Sequence, residues 1–454
     1  MPMLAPRKIE LQAAEGLATG RIQAAIDQAS EGPVELVFAP GLYICEGLRL
    51  RSDVIVTLQK GAELHFAPFY DAYAHNEVAV EAEQSNRAMI VAKDAQRITL
   101  RGEGRISCEG STQFITGEDT KMGTLIPAPL RPRVMVLDGC ADVHIEGLHV
   151  VDAPMWTLHF VDCNGLQLHG LNIDNNRHMP NTDGIVIDGC QNVAITNCEI
   201  RTADDGIVLK TSARTDGRAA TPCTNILARD TLIESRSCAV KIGTESYADF
   251  TDITFKAINI VGSNRALGIF SRDGGAVARV RFEQITLTCE ETPDGYWGSG
   301  EPITITALDR RPQTPAGAVS DITFCGIFGS CHGAISLYAA RDGLVDGITL
   351  EGVSLTQTPG TLGTAQRYDI RPTYTDLLPS EDAAGRINAW RMGPDGKVIG
   401  LIDYPGGFPG LFAAGVTGLV TTNVTITRPD PLPKGWARQA QIAAPAGGND
   451  GMGG

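Results

Sequence analysis

The stretches DGCADVHIEGLHVVD (138–152), VDCNGLQLHGLNIDN (161–175), IDGCQNVAITNCEIRT (187–202) and TPCTNILARDTLIES (221–235) repeat one short pattern: a Gly, Asn or Asp turn, alternating apolar residues, another turn. Period-two alternation marks strands with one buried face. Val143, Leu166, Val193 and Ile226 hold the same place in successive units, 23, 27 and 33 residues apart, which is the length of one coil of a parallel β-helix. The pattern continues through DFTDITFKAINIVGS (249–263), GAVARVRFEQITLTC (275–289), GAVSDITFCGIFGSC (317–331) and RDGLVDGITLEGVSLTQ (341–357). The predicted fold is therefore all-β, a right-handed parallel β-helix (solenoid) with a short N-terminal capping helix. Cys140, Cys163, Cys190 and Cys223 each precede one of the register residues by three, so they are expected to stack as an internal ladder of small buried side chains.

Outward from this core, ATGRIQAAIDQASEG (18–32) has helical spacing, with Ile22, Ala25, Ile26 and Ala29 on one side and Gly32 as its stop. It is expected to cap the open end of the solenoid. Residues 34–67 read as the first coils, and 364–415 breaks the repeat as an insertion or hairpin excursion. With no interdomain linker evident, residues 1–440 are expected to form a single domain, followed by a flexible tail over 441–454.

Composition narrows the function. Of 454 residues 43% are apolar and 20% charged, enough for a large core and too apolar for disorder. The net charge of −15 repels phosphate backbones and anionic lipid, so neither nucleic acid nor membrane is an expected partner. No apolar run approaches 18 residues and the N-terminus lacks an apolar signal region, which predicts a cytoplasmic protein unless a leader has been removed. Eleven cysteines without CxxC spacing read as reduced thiols. No His/Cys metal set, P-loop or dinucleotide fingerprint is present, so no cofactor is expected.

In a solenoid, function comes from side chains that break the repeat. PNTDGIVIDG (180–189) and TADDGIVLKT (202–211) share the frame D-G-I-V, with Asp183 and Asp205 22 residues apart, or one coil. Adjacent coils lie about 4.8 Å apart, so Asp183, Asp204 and Asp205 can form one carboxylate cluster. Asp204 and Asp205 can both face outward only if the backbone bends, and Gly206 permits that. Crowded carboxylates raise at least one pKa and place a proton donor beside ionised neighbours, the equipment for glycoside hydrolysis. An Asp-Gly turn repeated for structural reasons alone would give the same frame.

The chain resembles glycoside hydrolase family 28, the polygalacturonase and rhamnogalacturonase group. The resemblance runs through RIQAAIDQA, FAPGLYICEGLRLRSDVIVTLQKGAELHFA and APMWTLHFVDC, and is strongest at NTDG (181–184) and ADDGIVLK (203–210). It implies that Asp204 is the general acid, that Asp183 and Asp205 hold and activate water, that the anomeric carbon is inverted, and that Asn181 orients the site. Lys210 then reaches substrate hydroxyls or tunes the acid, unless it is a solvated lysine on the groove edge.

Two family elements are missing. Where the family has Gly-His-Gly this chain reads SCAVKIGTES (237–246), with Cys238 at the histidine position, either filling the vacated space or acting as a nucleophile beside Lys241. The Arg-Ile-Lys element that grips a uronate carboxylate aligns with Gly268-Ile269-Phe270, which favours a neutral or differently charged sugar in the central subsite. Arg265 and Arg272 lie near enough to compensate in part, or pair with Asp273 as structure. Phe270 is expected to stack on a sugar face, and Lys241, Glu245, Tyr247, Trp297 and Glu301 are further candidates for substrate contact; for Trp297 a buried plug is an equal alternative. His159, in MWTLHF, reads as a packing histidine.

The expected function is a cofactor-free glycosidase acting on an oligo- or polysaccharide, pectin-like or a related non-galacturonate glycan. Alternatives are a β-helix lyase, epimerase or intramolecular glycosyl transferase, and a noncatalytic carbohydrate-binding solenoid.

Overall fold

The computed structural model describes residues 5–119, 123–293, 296–371 and 398–446. The chain winds as a right-handed parallel β-helix. Val143 pairs with Leu166, Leu166 with Val193, and Val193 with Ile226, all in parallel; the repeat read from sequence is the register of the sheet. One wall is a 13-stranded sheet running strand by strand from Leu48–Arg49 to Gln441–Ala444, with Glu77–Ala82 as a side branch. The remaining walls join into a 20-stranded sheet.

The Gly, Asn and Asp residues between the apolar runs make the corners. At one corner Asp142, Gly165, Asn192, Asn225 and Asp252 follow one another up the coils, all with φ between 50° and 78°. These are the residue types that tolerate left-handed backbone. Higher up, a single strand rounds the next corner without breaking, as in Cys223–Ser235 and Phe250–Ser263.

The interior is filled by like residues stacked coil on coil. Phe255, Phe282 and Phe324 form a parallel stack with centroid separations of 5.1 and 4.7 Å. All eleven cysteines are free, and Cys140, Cys163, Cys190 and Cys223 are buried, their thiols donating to backbone carbonyls. Burial pushes the Cys223 thiol up to about 12, so it behaves as a small core side chain.

At the N-terminal end the helix occupies Thr19–Asp27 and continues as a 3-10 turn to Glu31, with Ile22, Ala25 and Ile26 buried. At the other end the sequence expectations need correction. Gln441–Ala444, expected to begin a tail, is a strand paired with Leu411–Ala414, because Ile442 and Ala444 pack on the aromatic cluster of Tyr368, Tyr404, Phe408 and Phe412. The excursion expected over 364–415 rejoins the 13-stranded sheet at Leu411–Ala414. Its two arms, Arg367–Asp369 and Leu401–Asp403, pair antiparallel; residues 372–397, and 447–454 of the tail, lie outside the described residues. Among the described residues no helix is long and apolar enough to cross a membrane.

Candidate active site

Ile185 pairs with Ile207, and the Gly184 N–H donates to Asp205 O at 2.9 Å, so Asp183 and Asp205 stand on adjacent rungs. Asp204 and Asp205 precede the strand Ile207–Thr211; strand alternation therefore never applies to them, and both side chains reach the same cavity. Gly206 is required by packing, since a Cβ there would sit 2.5 Å from Ile233 Cγ2 and 2.6 Å from Ala239 O. Hydroxyls fix the turns. Thr182 Oγ1 accepts from the Ala203 N–H (3.2 Å), while Thr202 Oγ1 and Ser235 Oγ both donate to Asp204 O (2.6 and 2.7 Å).

The three aspartates offer oxygens that all lie within 4.8 Å of one another. Asp204 is 7% exposed, Asp183 3% and Asp205 1%, so Asp204 is the member most open to a ligand. Asp205 accepts three hydrogen bonds: Lys241 Nζ donates to Oδ2 at 2.7 Å, and Ser237 Oγ and the Cys238 N–H donate to Oδ1 at 3.1 and 3.3 Å. Burial, then the charges of Asp204 and Asp205, push Asp183 well above the carboxylate range. The oxygens are close enough to share a cation; Lys241 already places a positive charge against Asp205.

The cluster opens into a cavity of about 380 Å³. Asn181, Asp183, Asp204, Asp205, Lys210, Lys241, Glu245, Tyr247, Phe270 and Trp297 all line it, so most of the sequence candidates converge. Asn181 sits in left-handed backbone and accepts from Arg131 Nη2 at 2.7 Å. Lys210 is no solvated edge residue: it is buried, pairs with Glu245 at 2.6 Å and lies 4.8 Å from the centre of the Trp156 ring. Burial disfavours charge on both partners, but Glu245, Asp183 and Asp205 outweigh it and raise Lys210, while Lys210 and Arg310 outweigh it and hold Glu245 low. Glu245 reaches the cavity because the register slips between Leu209 and Thr211, leaving Gly243–Glu245 as a bulge.

Arg272 and Glu301 do not line the cavity. Arg272 is fully buried and donates to Ser271 O, Thr306 O and Ile370 O. Glu301, 2% exposed, accepts from the Ser299 N–H at 2.5 Å and lies 3.6 Å from Arg265. Both are strand-end residues whose polar groups satisfy neighbouring backbone or side chains, and sequence does not distinguish that from a groove residue. Phe270 is also no open platform: it is 1% exposed, its ring between Arg265 at 5.0 Å and Lys241 at 5.7 Å. Gly268 makes room for it, since a Cβ would meet the ring at 2.4 Å and Cys238 Sγ at 2.9 Å. Trp297 is half-buried, with Arg371 5.6 Å from its ring centre.

Cys238 is not placed to act as a nucleophile. Its Sγ donates to Val240 O at 3.2 Å, and burial followed by the charge of Asp205 pushes the thiol far up. His159 lies beneath the floor: it accepts from Arg133 at Nδ1 (2.9 Å), which leaves Nε2–H facing Asp188 at 3.4 Å, and burial lowers it to about 4. It is a neutral packing histidine.

The sequence reading missed a set of cations. Arg310, Arg311 and Arg371 line the cavity beside Arg265. Arg310 makes a two-point pair with Asp273, Arg371 one with Asp369, and Arg265 approaches Asp369 at 3.2 Å. Arg311 bonds to the Tyr247 hydroxyl, with Asp273 at 3.4 Å, and its side chain remains 35% exposed. Glu81, Glu83 and Gln84 enter from the hairpin whose strands are Glu77–Ala82 and Ser85–Lys93.

The family model of glycosyl hydrolases family 28 matches residues 46–368. The chain belongs to this family. It is 25% identical over 315 residues to a polygalacturonase of Chamaecyparis obtusa, covering 67% of this chain and 56% of that protein. The chain spans about half the length of several curated relatives it matches. Among solved structures, the family 28 exopolygalacturonase of Yersinia enterocolitica superposes with TM-score 0.63 at 14% identity, over 97% of this chain and 78% of that one. The hyperthermoactive exopolygalacturonase of Thermotoga maritima gives 0.62 at 18% identity, over 78% and 89%. Lys241 supplies a cation to the aspartate cluster, and Arg265, Arg310, Arg311 and Arg371 bring further cations to the cavity.

Proposed function

We propose that this family 28 protein is an inverting glycoside hydrolase that cleaves an acidic, pectin-type oligo- or polysaccharide. The observation that carries the reading is the aspartate cluster itself: the oxygens of Asp183, Asp204 and Asp205 lie within 4.8 Å of one another at the cavity, with Lys241 donating to Asp205 at 2.7 Å and Asp183 pushed up by burial and its neighbours. In this reading Asp204, the most accessible of the three, gives a proton to the glycosidic oxygen as the C–O bond breaks. Asp183 and Asp205 hold a water that attacks the anomeric carbon and returns a proton to the cluster. A water donating two hydrogen bonds of about 2.8 Å at a tetrahedral angle separates its acceptors by about 4.6 Å, in keeping with oxygens within 4.8 Å. The water attacks the face of the anomeric carbon opposite the departing oxygen, which inverts the configuration.

Arg311 is the cation best placed to take a sugar carboxylate, backed by Arg310 and Arg371. This favours an acidic sugar over the neutral one that the losses at 268 and 270 had suggested. Lyase chemistry fits less well, because Lys241 and Lys210 are both held in their charged forms by nearby carboxylates, against burial, and neither is free to abstract a proton. The proposal is tested by incubation with acidic and neutral glycans, following reducing ends and ultraviolet absorbance. New reducing ends from acidic glycans without unsaturation are expected; unsaturated products, or cleavage of neutral glycans only, contradict it.

A further inference from the structure

Glu83 enters the cavity from outside the coil repeat. It and Gln84 form the two-residue tip of the hairpin, with φ of 47° and 64°, the left-handed pair that a tight hairpin on twisted strands requires. The hairpin root is pinned. Arg133 Nη2 donates to Val80 O at 2.6 Å, the Thr215 N–H to Ala79 O at 3.2 Å, and Tyr70 Oη lies 3.1 Å from Ser85 Oγ. Next to the tip, Ala82 is wedged among Met155, Trp156, Val186 and Val208, on coils that carry the aspartate cluster. The strand Ser85–Lys93 lies four strands from Ile207–Thr211 in its sheet, roughly 19 Å away at about 4.8 Å per strand. The hairpin therefore leans across the sheet to reach the site.

This construction delivers a side chain to a fixed place, and that side chain has no protein partner. Among the described residues Glu83 has no hydrogen bond or ion pair, although it is half-buried in the cavity wall with Asp204, Lys210 and Glu245. Glu245, by contrast, is paired twice. Burial raises Glu83 and Asp204 adds to the rise, against Arg131 and Lys210. A half-buried carboxylate without donors is destabilising, and a ligand bearing hydroxyls removes that cost.

We propose that Glu83 is a substrate-binding residue that accepts hydrogen bonds from sugar hydroxyls at a subsite between the hairpin tip and Asp204. The inference rests on the glycosidase reading above.

The test compares wild type, Glu83→Gln, Glu83→Ala and Asp204→Asn on oligogalacturonides and their carboxyl-reduced counterparts, with KM and kcat separated and binding measured by calorimetry. Glu83→Ala is expected to raise KM by about tenfold or more, the range for a hydrogen bond to a charged group, with kcat changed less than about threefold. Glu83→Gln, whose amide oxygen still accepts, should recover part of the loss. An unchanged KM in Glu83→Ala overturns the inference alone, provided Asp204→Asn abolishes turnover. A fall in kcat with loss of one limb of the pH profile overturns it in favour of proton transfer. A wild-type protein that neither cleaves nor binds any of these sugars overturns it together with the glycosidase reading.

Discussion

Asp183, Asp204 and Asp205 come from two adjacent turns, whereas Arg265, Arg310, Arg311 and Arg371 reach the same cavity from separate, later segments of the chain. The acidic side is dictated by the repeat: two D-G-I-V frames in register must bring their aspartates together. The basic side depends on where long loops return. Its arginines are also tied to buried acids, Arg310 to Asp273 and Arg371 to Asp369, so they are built into the wall. In the proposed reading, chemistry is carried by the regular coils, and recognition largely by the segments that leave them.

That contrast can be broken most severely at Asp204. Asp204→Asn should lower kcat by about a thousandfold without lowering the melting temperature, since it removes a like charge from beside Asp183; a variant within tenfold of wild type removes the assigned acid. Lys241→Met comes next. It leaves Asp205 buried without its cation, and about 3 kcal/mol of stability should be lost together with most of the activity, read by urea melts and initial rates. Retention of both would mean that the Lys241–Asp205 pair is incidental.

On the basic side the expected effect is smaller and selective. Arg311→Ala should raise KM for acidic oligosaccharides by about tenfold and leave carboxyl-reduced ones unchanged; an equal loss on both would make Arg311 structural. The smallest effect is a gain. Asp183 has its pKa raised in the folded protein by burial and by Asp204 and Asp205, so the folded state binds its proton more tightly than the unfolded chain. Stability is therefore lost as pH rises from the ordinary aspartate value towards the folded one. Asp183→Asn should melt a few degrees higher than wild type at pH 7, with the difference shrinking towards pH 4, and an unchanged or lower melting temperature at pH 7 counts against the crowded cluster.

The same contrast explains what could be read from sequence. Val143, Leu166, Val193 and Ile226 disclosed the coil because each coil repeats the last, and the cysteine ladder and the aspartate cluster followed from that register. Glu245 was visible as a departure from the pattern, but not the bulge that turns it into the cavity. Arg272 and Glu301 looked like groove residues and are buried structural groups, since a charge at a strand end has the same local sequence in either role. Arg310, Arg311, Arg371 and Glu83 carried no signal: their positions depend on loop and hairpin paths that no periodicity encodes. A cluster of arginines after a broken repeat, as in LDRRPQ (308–313), is the only hint there was.

The most direct test of the central claim is proton NMR of the anomeric signals during the first turnovers of an oligogalacturonide, run with wild type and with Asp204→Asn. Newly released reducing ends that first appear in the configuration opposite to that of the cleaved bond, and are absent with the variant, are the predicted result. Retained configuration, an unsaturated product, or release that persists in Asp204→Asn would contradict the account.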